Sequence, residues 1–434
     1  MTKLQSSSRI CIVGAGAAGL SAAYYLKNRG YNAVTVLEAA GRVGGKCRTV
    51  EFEGRAFDVG ANYVTAAYKE VRKLARKFGA QLYTESASTT ATVMVDGTVA
   101  FQPPRQAITR NGNYAKFVRA ALRYFCIRFL LRGTIDRSGF AGVAKHPDLC
   151  VSFRDWLKIH KLSVLEPMFE IPVSVMGYGY LDEIPTPYAL KFLGLATYCN
   201  LLAVGLGLPT RWPKRFVNGF ERLWRNISAQ LDVRLGADIT RIDRAGPIRV
   251  YFRDDKMMEF DYLLLACPLN TDVTNSFLSL SNEERDLFSR IIVNSYVVAS
   301  CAIPNLRLPR RIVGMSPTPE VAQPWAMMQQ FADNDFVQFY TRLRDSEAGS
   351  RKKVLDAIDL FIARLGAKRS TDFITYDEWS YFPHVTARDF RDGFYDRLAA
   401  LQGRSNTFYC GGIAAFELVE TEVVLFSGTE WRLG

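Results

Sequence analysis

Apolar positions change their period twice within the first forty residues. The run ICIV at 10–13 has the composition of a buried strand, SAAYYLKNRG spaces its apolar residues as a helix does, and YNAVTVLE returns to a strand. Strand, glycine turn, helix and strand over residues 9–38 make a βαβ unit. A second glycine turn, GRVGGKCRT at 41–49, precedes a short strand and FDVGANYV at 57–64, and VRKLARKFGA predicts a helix. From about 85 to 215 the pattern is mostly helical and rich in aromatics, as in KFVRAALRYFCIRFLLRG and VSFRDWLKIHKL. NGFERLWRNISAQL then predicts a helix, and VRLGADITRIDR, IRVYF and FDYLLLACPL predict strands. NSYVVASCAI and DFVQFYTRL are strand candidates ahead of the helix RKKVLDAIDLFIARL, and TFYCGGIAAFELVETEVVLFSG reads as strand, glycine turn and closing helix.

The glycines after the first strand have a physical purpose. Gly14 permits a tight turn, Gly16 lets backbone approach a pyrophosphate, and Gly19 lets the helix pack on the strand, with Ala18 beside it in the first helical turn. Glu38, followed by Ala39, ends the second strand where a carboxylate would accept hydrogen bonds from an adenosine ribose and repel a 2′-phosphate, which favours FAD or NAD over NADP. The second turn separates those two. Gly44 and Gly45 allow close approach to phosphates that Arg42 and Lys46 would neutralise, an arrangement suited to FAD. The fold class is therefore α/β, a Rossmann-type FAD-binding domain with a parallel sheet discontinuous in sequence. Its expected pieces are 1–84, 215–285 and 371–434. Residues 85–214 and 286–370 would form a substrate domain of mixed sheet with an inserted helical region.

Composition narrows the partners. The 434 residues are 48% hydrophobic and 23% charged, a globular balance, and a net charge of +12 suits acidic partners. Carboxylate substrates, coenzyme A, an acyl carrier protein and an anionic membrane surface all qualify. No Lys/Arg tract or nucleic-acid motif is present, so no nucleic acid is expected. Eight cysteines without a C-x-x-C pair and three histidines argue against structural zinc, and with a polar N-terminus, MTKLQSSS, they lead to an expected cytoplasmic location. The uncharged run from Phe192 to Thr210 is as long as a short membrane span. Asn200, three glycines and Pro209 favour a buried helix instead. Lys116, Arg119, Arg123, Arg128 and Arg132 alternate with Phe117, Leu122, Phe125, Phe129 and Leu130 in an amphipathic pattern. It would serve as a solvated face or would dock the protein, peripherally, on a membrane surface or an acidic carrier.

EAAGRVGGK at 38–46 and DVGANY at 58–63 resemble the flavin-containing amine oxidase superfamily. The resemblance implies non-covalent FAD, with Ile239 at the adenine and Gly60 and Ala61 beside the flavin. Asn62 and Tyr63 would point toward the reacting centre, and Gly411, Gly412 and the start of the closing helix, Val419, Glu420 and Thr421, would meet the flavin's far side. Many members carry an acid where this chain has Gly412, so an acid restored there is expected to tighten FAD binding. Three further segments, GYGYLDEIPTPYALKFLGLAT at 177–197, WSYFPHVTARDF at 379–390 and QGRSNTFYCGG at 402–412, resemble the polyunsaturated fatty acid isomerases. That resemblance implies hydride abstraction from a doubly allylic carbon and its return elsewhere on the chain. Tyr63, Trp379, Tyr381 and Phe382 are then the catalytic candidates, and Tyr178, Tyr180, Tyr188 and Phe192 would line an apolar substrate tunnel. His384 reads as structural. An FAD-dependent oxidase or desaturase of an amine or carrier-bound acyl group, and a flavin-binding protein without catalysis, remain as alternatives.

Overall fold

The computed structural model describes residues 5–84, 91–95, 98–102, 114–206, 208, 213–306, 311–315, 324–343 and 351–427. Its centre is a five-stranded parallel sheet in the order Thr407–Tyr409, Tyr262–Leu265, Ile10–Val13, Val34–Glu38, Asp232–Leu235. Alternation along the inner strands explains why sequences such as ICIV and YLLL are continuously apolar, whereas the edge strand Asp232–Leu235, DVRL, is largely exposed. Ile10, Ile12, Val36 and Leu264 pack under the helices Ala17–Asn28, Lys69–Lys77, Phe220–Ser228 and Val419–Ser427. Cys11, Val13, Leu37 and Leu265 face the other way, into a core shared with the antiparallel strands Ile239–Asp243, Ile248–Phe252 and Met257–Phe260. With both faces covered there, the inner strands need no polar side.

A seven-stranded mixed sheet runs Thr375–His384, Ile292–Ala302, Phe336–Leu343, Ala326–Gln329, Arg311–Met315, Ala91–Val95, Thr98–Gln102. Helix Arg351–Arg364 covers one face through Val354, Ile358 and Phe361. The other face carries Tyr296, Val298 and Tyr340 against Phe57 and Val59, which brings it to the FAD-binding side. Two expectations change here. The piece 371–434 is divided between sheets, because Thr375–His384 pairs with Ile292–Ala302 and the chain enters the parallel sheet only at Thr407. The mostly helical stretch from 85 begins, within its described part, with the two strands Ala91–Val95 and Thr98–Gln102.

The uncharged run after Phe192 is split. Helices Thr186–Phe192 and Leu195–Leu206 meet at a 75° bend, and no single helix among the described residues is long and apolar enough to cross a membrane. Leu195–Leu206 leans on helix Tyr114–Leu130, with Tyr198 donating to the Ala121 carbonyl at 2.7 Å. Arg128, grouped by its sequence with the solvated cations, is instead fully buried. Its guanidinium donates to the Leu190 carbonyl and to Asp136, which offsets the cost of burying the charge.

Candidate flavin site and its aromatic wall

Gly14 adopts φ +109, and a Cβ there would meet the Ala266 carbonyl at 2.8 Å. A Cβ on Gly19 would lie 1.9 Å from the Gly14 carbonyl, so only glycine lets this helix sit so close to its own turn. Gly16 is different. It has an ordinary backbone conformation, and a Cβ would find nothing nearer than the Gly45 Cα at 3.9 Å. The chain has no need of glycine there; a ligand lying across the turn does. Gly16 is also the N-cap of the 12-residue helix Ala17–Asn28, which has neither a side-chain cap nor an acid in its first turn. Its free amides form a ready anion site, while Ala18 is buried behind them.

The second turn is joined to the first. Gly44 donates to the Ala15 carbonyl at 2.8 Å, and Gly45 packs so closely that a Cβ on it would stand 3.1 Å from the Gly16 Cα. Glu38 ties its own strand to the glycine turn, its carboxylate accepting from Ala15 N–H at 2.7 Å and Ala40 N–H at 2.9 Å, with Ala39 exposed between. An exposed turn, a fixed carboxylate and a bare helix terminus fit the ADP half of FAD. Gly60 runs tightly against this turn, since a Cβ would meet the Lys46 carbonyl at 1.9 Å, and Ala61 N–H donates to that carbonyl at 2.9 Å. Ile239 opens the antiparallel strand Ile239–Asp243 beyond Glu38, half-buried.

The two cations expected at phosphates have protein partners. Arg42 donates to the carbonyls of Val43 and Gly45 and lies 3.9 Å from Glu221, so it braces the turn. Lys46 reaches Glu417 at 2.7 Å. That carboxylate overturns the expectation for Gly412: a Cβ at 412 would stand 2.0 Å from Glu417 Oε2. The volume an acid at 412 would occupy is already filled by one entering from 417. Burial and the Glu417 charge push the Glu422 carboxyl up to about 8, with Lys46 opposing. Gly411 is the N-cap of the short helix Gly412–Ala415. Val419 opens the closing helix, but the side chains after it turn elsewhere: Glu420 accepts from the Glu70 and Val71 amides, capping helix Lys69–Lys77, and Thr421 donates to the Phe416 and Leu418 carbonyls.

Beyond Lys46 stands a wall of rings. Asn62 donates to the Tyr340 hydroxyl at 3.2 Å, and ring centroids then step from Tyr340 to Tyr296 at 6.4 Å, to Tyr381 at 5.6 Å and to Tyr178 at 5.9 Å. Tyr178 packs on Phe192, Phe382 and Phe416, and Tyr188 closes on Phe382 at 5.2 Å. Trp379 joins the same face, its indole donating to the Val59 carbonyl at 3.2 Å. Tyr63 lies there too, with its hydroxyl on Met328 Sδ and the Arg215 guanidinium 4.3 Å over its ring. Tyr180 does not join; it packs on Trp325, because Gly179 at φ +111 turns it from Tyr178. Phe382 and Phe416 hold left-handed φ of +52 and +89, a cost of about 1–3 kcal/mol each that their packing must offset. His384 stacks on Phe382 at 4.6 Å, with Nδ1 at the Phe382 carbonyl.

Sequence reasoning passed over Tyr296, Tyr340, Phe416, Glu417 and Glu422. Alternation along NSYVVASCAI and DFVQFYTRL puts the two tyrosines on one face, a signal that was available. Nothing local reveals Glu417. A groove of about 780 Å³ opens elsewhere, lined by Arg241, Arg244, Glu283, Glu284, Arg404 and Tyr409 among others. It includes none of the expected site residues, and its arginines 244 and 404 are already paired with Glu284 and Glu283.

A parallel dinucleotide sheet, two joined glycine turns and a ring-walled second sheet define a flavoprotein of the amine oxidase class. Residues 17–304 match the flavin containing amine oxidoreductases, and the chain belongs to that family, with FAD as its cofactor. The fold is similar to that of the CLA-producing fatty acid isomerase from P. acnes, at a TM-score of 0.85 and 24% identity over 98% of both chains. Polyenoic fatty acid isomerase of Ptilota filicina is 25% identical over 197 residues, 41% of this chain and 39% of that protein. Protoporphyrinogen oxidase 2 of Arabidopsis thaliana is 54% identical over 74 residues, 17% of this chain and only 14% of that protein.

Proposed function

We propose that this chain is a double-bond isomerase that holds FAD without a covalent link and acts on a polyunsaturated fatty acid or a related acyl substrate. Bound FAD supplies reversible hydride acceptance at N5, which permits a double bond to move without net redox change. The observation that carries the reading is the largely buried aromatic wall beside Lys46. Tyr178, Tyr188, Phe382 and Phe416 are buried. Burial pushes the Tyr178, Tyr188, Tyr296 and Tyr381 hydroxyls well up, so each keeps its proton. They are also occupied: Tyr178 donates to the Glu417 carbonyl, Tyr296 to the Val175 carbonyl, and Tyr188 shares a hydrogen bond with Tyr395 at 2.6 Å.

Such a wall would meet an apolar chain and a delocalised cation through its half-buried rings, Phe192, Trp379 and Tyr381, while the buried rings behind them exclude water. It supplies no tyrosinate base, which a proton-transfer isomerase would use. The likeness in fold to a fatty acid isomerase supports the same substrate class. The test is anaerobic incubation with linoleic acid in heavy water. Conjugated-diene absorbance should rise over many turnovers, and mass spectrometry should find no solvent deuterium in the product. Stoichiometric hydrogen peroxide once oxygen is admitted would move the assignment to an oxidase or desaturase. Deuterium at the shifted carbon would sink the hydride mechanism.

A further inference from the structure

Helix Tyr114–Leu130 has two apolar faces, and only one is used. Phe117, Ala120, Ala121 and Tyr124 enter the core, with Arg128 beneath them. Val118, Leu122, Phe125 and Phe129, spaced by four, three and four, share the outer face and are exposed, as is Leu130 at 79%. With Tyr114, six of the fourteen exposed large hydrophobic residues among the described residues lie on this helix, so they form a patch and not the scatter normal to a protein surface. Arg119 and Arg123 are exposed along its border, and the Arg132 guanidinium lies 3.8 Å over the Phe129 ring.

Charge is sorted here as well. The sequence has no Asp or Glu from residue 97 to 135, and none from 184 to 220. Those two stretches contain the two helices that lean on each other through Tyr124 and Tyr198, whose rings are 4.5 Å apart. The second helix, Leu195–Leu206, carries no charge at all, and Leu208 just beyond it is 55% exposed.

We infer that this outer face docks on an anionic lipid bilayer, with Leu122, Phe125, Phe129 and Leu130 entering the headgroup–acyl boundary and Arg119, Arg123 and Arg132 meeting lipid phosphates. A surface helix with bulky exposed apolar residues bordered by arginines matches that interface in both of its components. An acidic carrier protein would answer the arginines and leave the apolar stripe in water. The docking holds whatever reaction the flavin site performs.

The experiment is flotation of the FAD-loaded protein with phosphatidylcholine vesicles and with vesicles containing phosphatidylglycerol. Binding should require the anionic lipid and weaken with salt. Phe125→Asp and Leu122→Asp should each reduce it by about tenfold or more, and Arg119→Glu should reduce it while keeping the apolar stripe. Thermal midpoint and flavin content should be unchanged, since all three side chains are exposed. Failure of the native protein to float with anionic vesicles, equal flotation of native and Phe125→Asp proteins, or a dimer that Leu122→Asp converts to monomer would each overturn the inference. Capture by purified acyl carrier protein, lost in Arg119→Glu while vesicles are ignored, would overturn it in favour of a carrier.

Discussion

Gly412 and Glu417 compete for one volume, and the competition is local enough to measure. A methyl at 412 would have to push the Glu417 carboxylate off Lys46, since its Cβ would stand 2.0 Å from Oε2. Gly412→Ala should therefore cost about 1.5–3 kcal/mol, the range for a hydrogen bond to a charged group. In a Glu417→Ala background the same change should cost less than about 0.5 kcal/mol, because the two sites are coupled and not independent. Urea unfolding of the four proteins checks this, and equal losses in both backgrounds would refute it. Gly412→Glu, which the bare sequence recommends as a restored flavin ligand, puts a second acid against Glu417 and Glu422. The acid was present all along. It was illegible because Phe416, at φ +89, turns the chain in a way no neighbouring residue announces.

At the scale of elements, the last strand of the parallel sheet is held by one buried carboxylate. Glu284 accepts from Arg244, from the Tyr409 hydroxyl and from Ser281 N–H, and so joins strand Thr407–Tyr409 to helix Asn282–Phe288 and to the arginine after strand Ile239–Asp243. Burial alone would raise its pKa, but these hydrogen bonds outweigh it and hold the group at about 2, down from 4.5. A depressed carboxylate contributes stability that is complete above its unfolded value and is lost as pH falls from about 4.5 toward 2, here about 3 kcal/mol. The stability gap between native protein and Glu284→Gln should accordingly be widest near neutrality and narrow steadily below pH 4.5. A gap independent of pH would show that packing, and not charge, makes the link. Helix Tyr114–Leu130 teaches a related lesson. Its cations and apolar residues are plain in the sequence, yet only the helices packed on it decide that Arg128 goes inside while Phe125 and Leu130 stay out.

For the whole molecule, FAD would span pieces from both ends of the chain, the turns at 14–19 and 41–46 and the segment after Gly411. Ligand that binds only the folded state stabilises it by about 4 kcal/mol at a thousandfold excess over Kd. Adding FAD to apoprotein should therefore raise the melting temperature in a single cooperative transition. Gly16→Ala should leave the apoprotein midpoint nearly where it is, since its Cβ would reach only the Gly45 Cα at 3.9 Å, and should shrink the FAD-dependent rise. A lower apoprotein midpoint would mean the glycine serves the fold instead. Sequence by itself determined the βαβ unit, both glycine turns and the FAD-compatible Glu38, because each depends on residues within a few positions of one another and on glycines whose backbone nothing else can replace. It also carried most of the ring wall as a list of aromatic residues. Only tertiary structure decided their partners: Tyr178 within the wall and Tyr180 outside it, Glu420 spent on a distant helix terminus, Lys46 turned to Glu417, and Thr375–His384 paired with Ile292–Ala302. Those outcomes depend on which segments meet across hundreds of residues, where a side chain's fate is set by the volume and charge it finds on arrival.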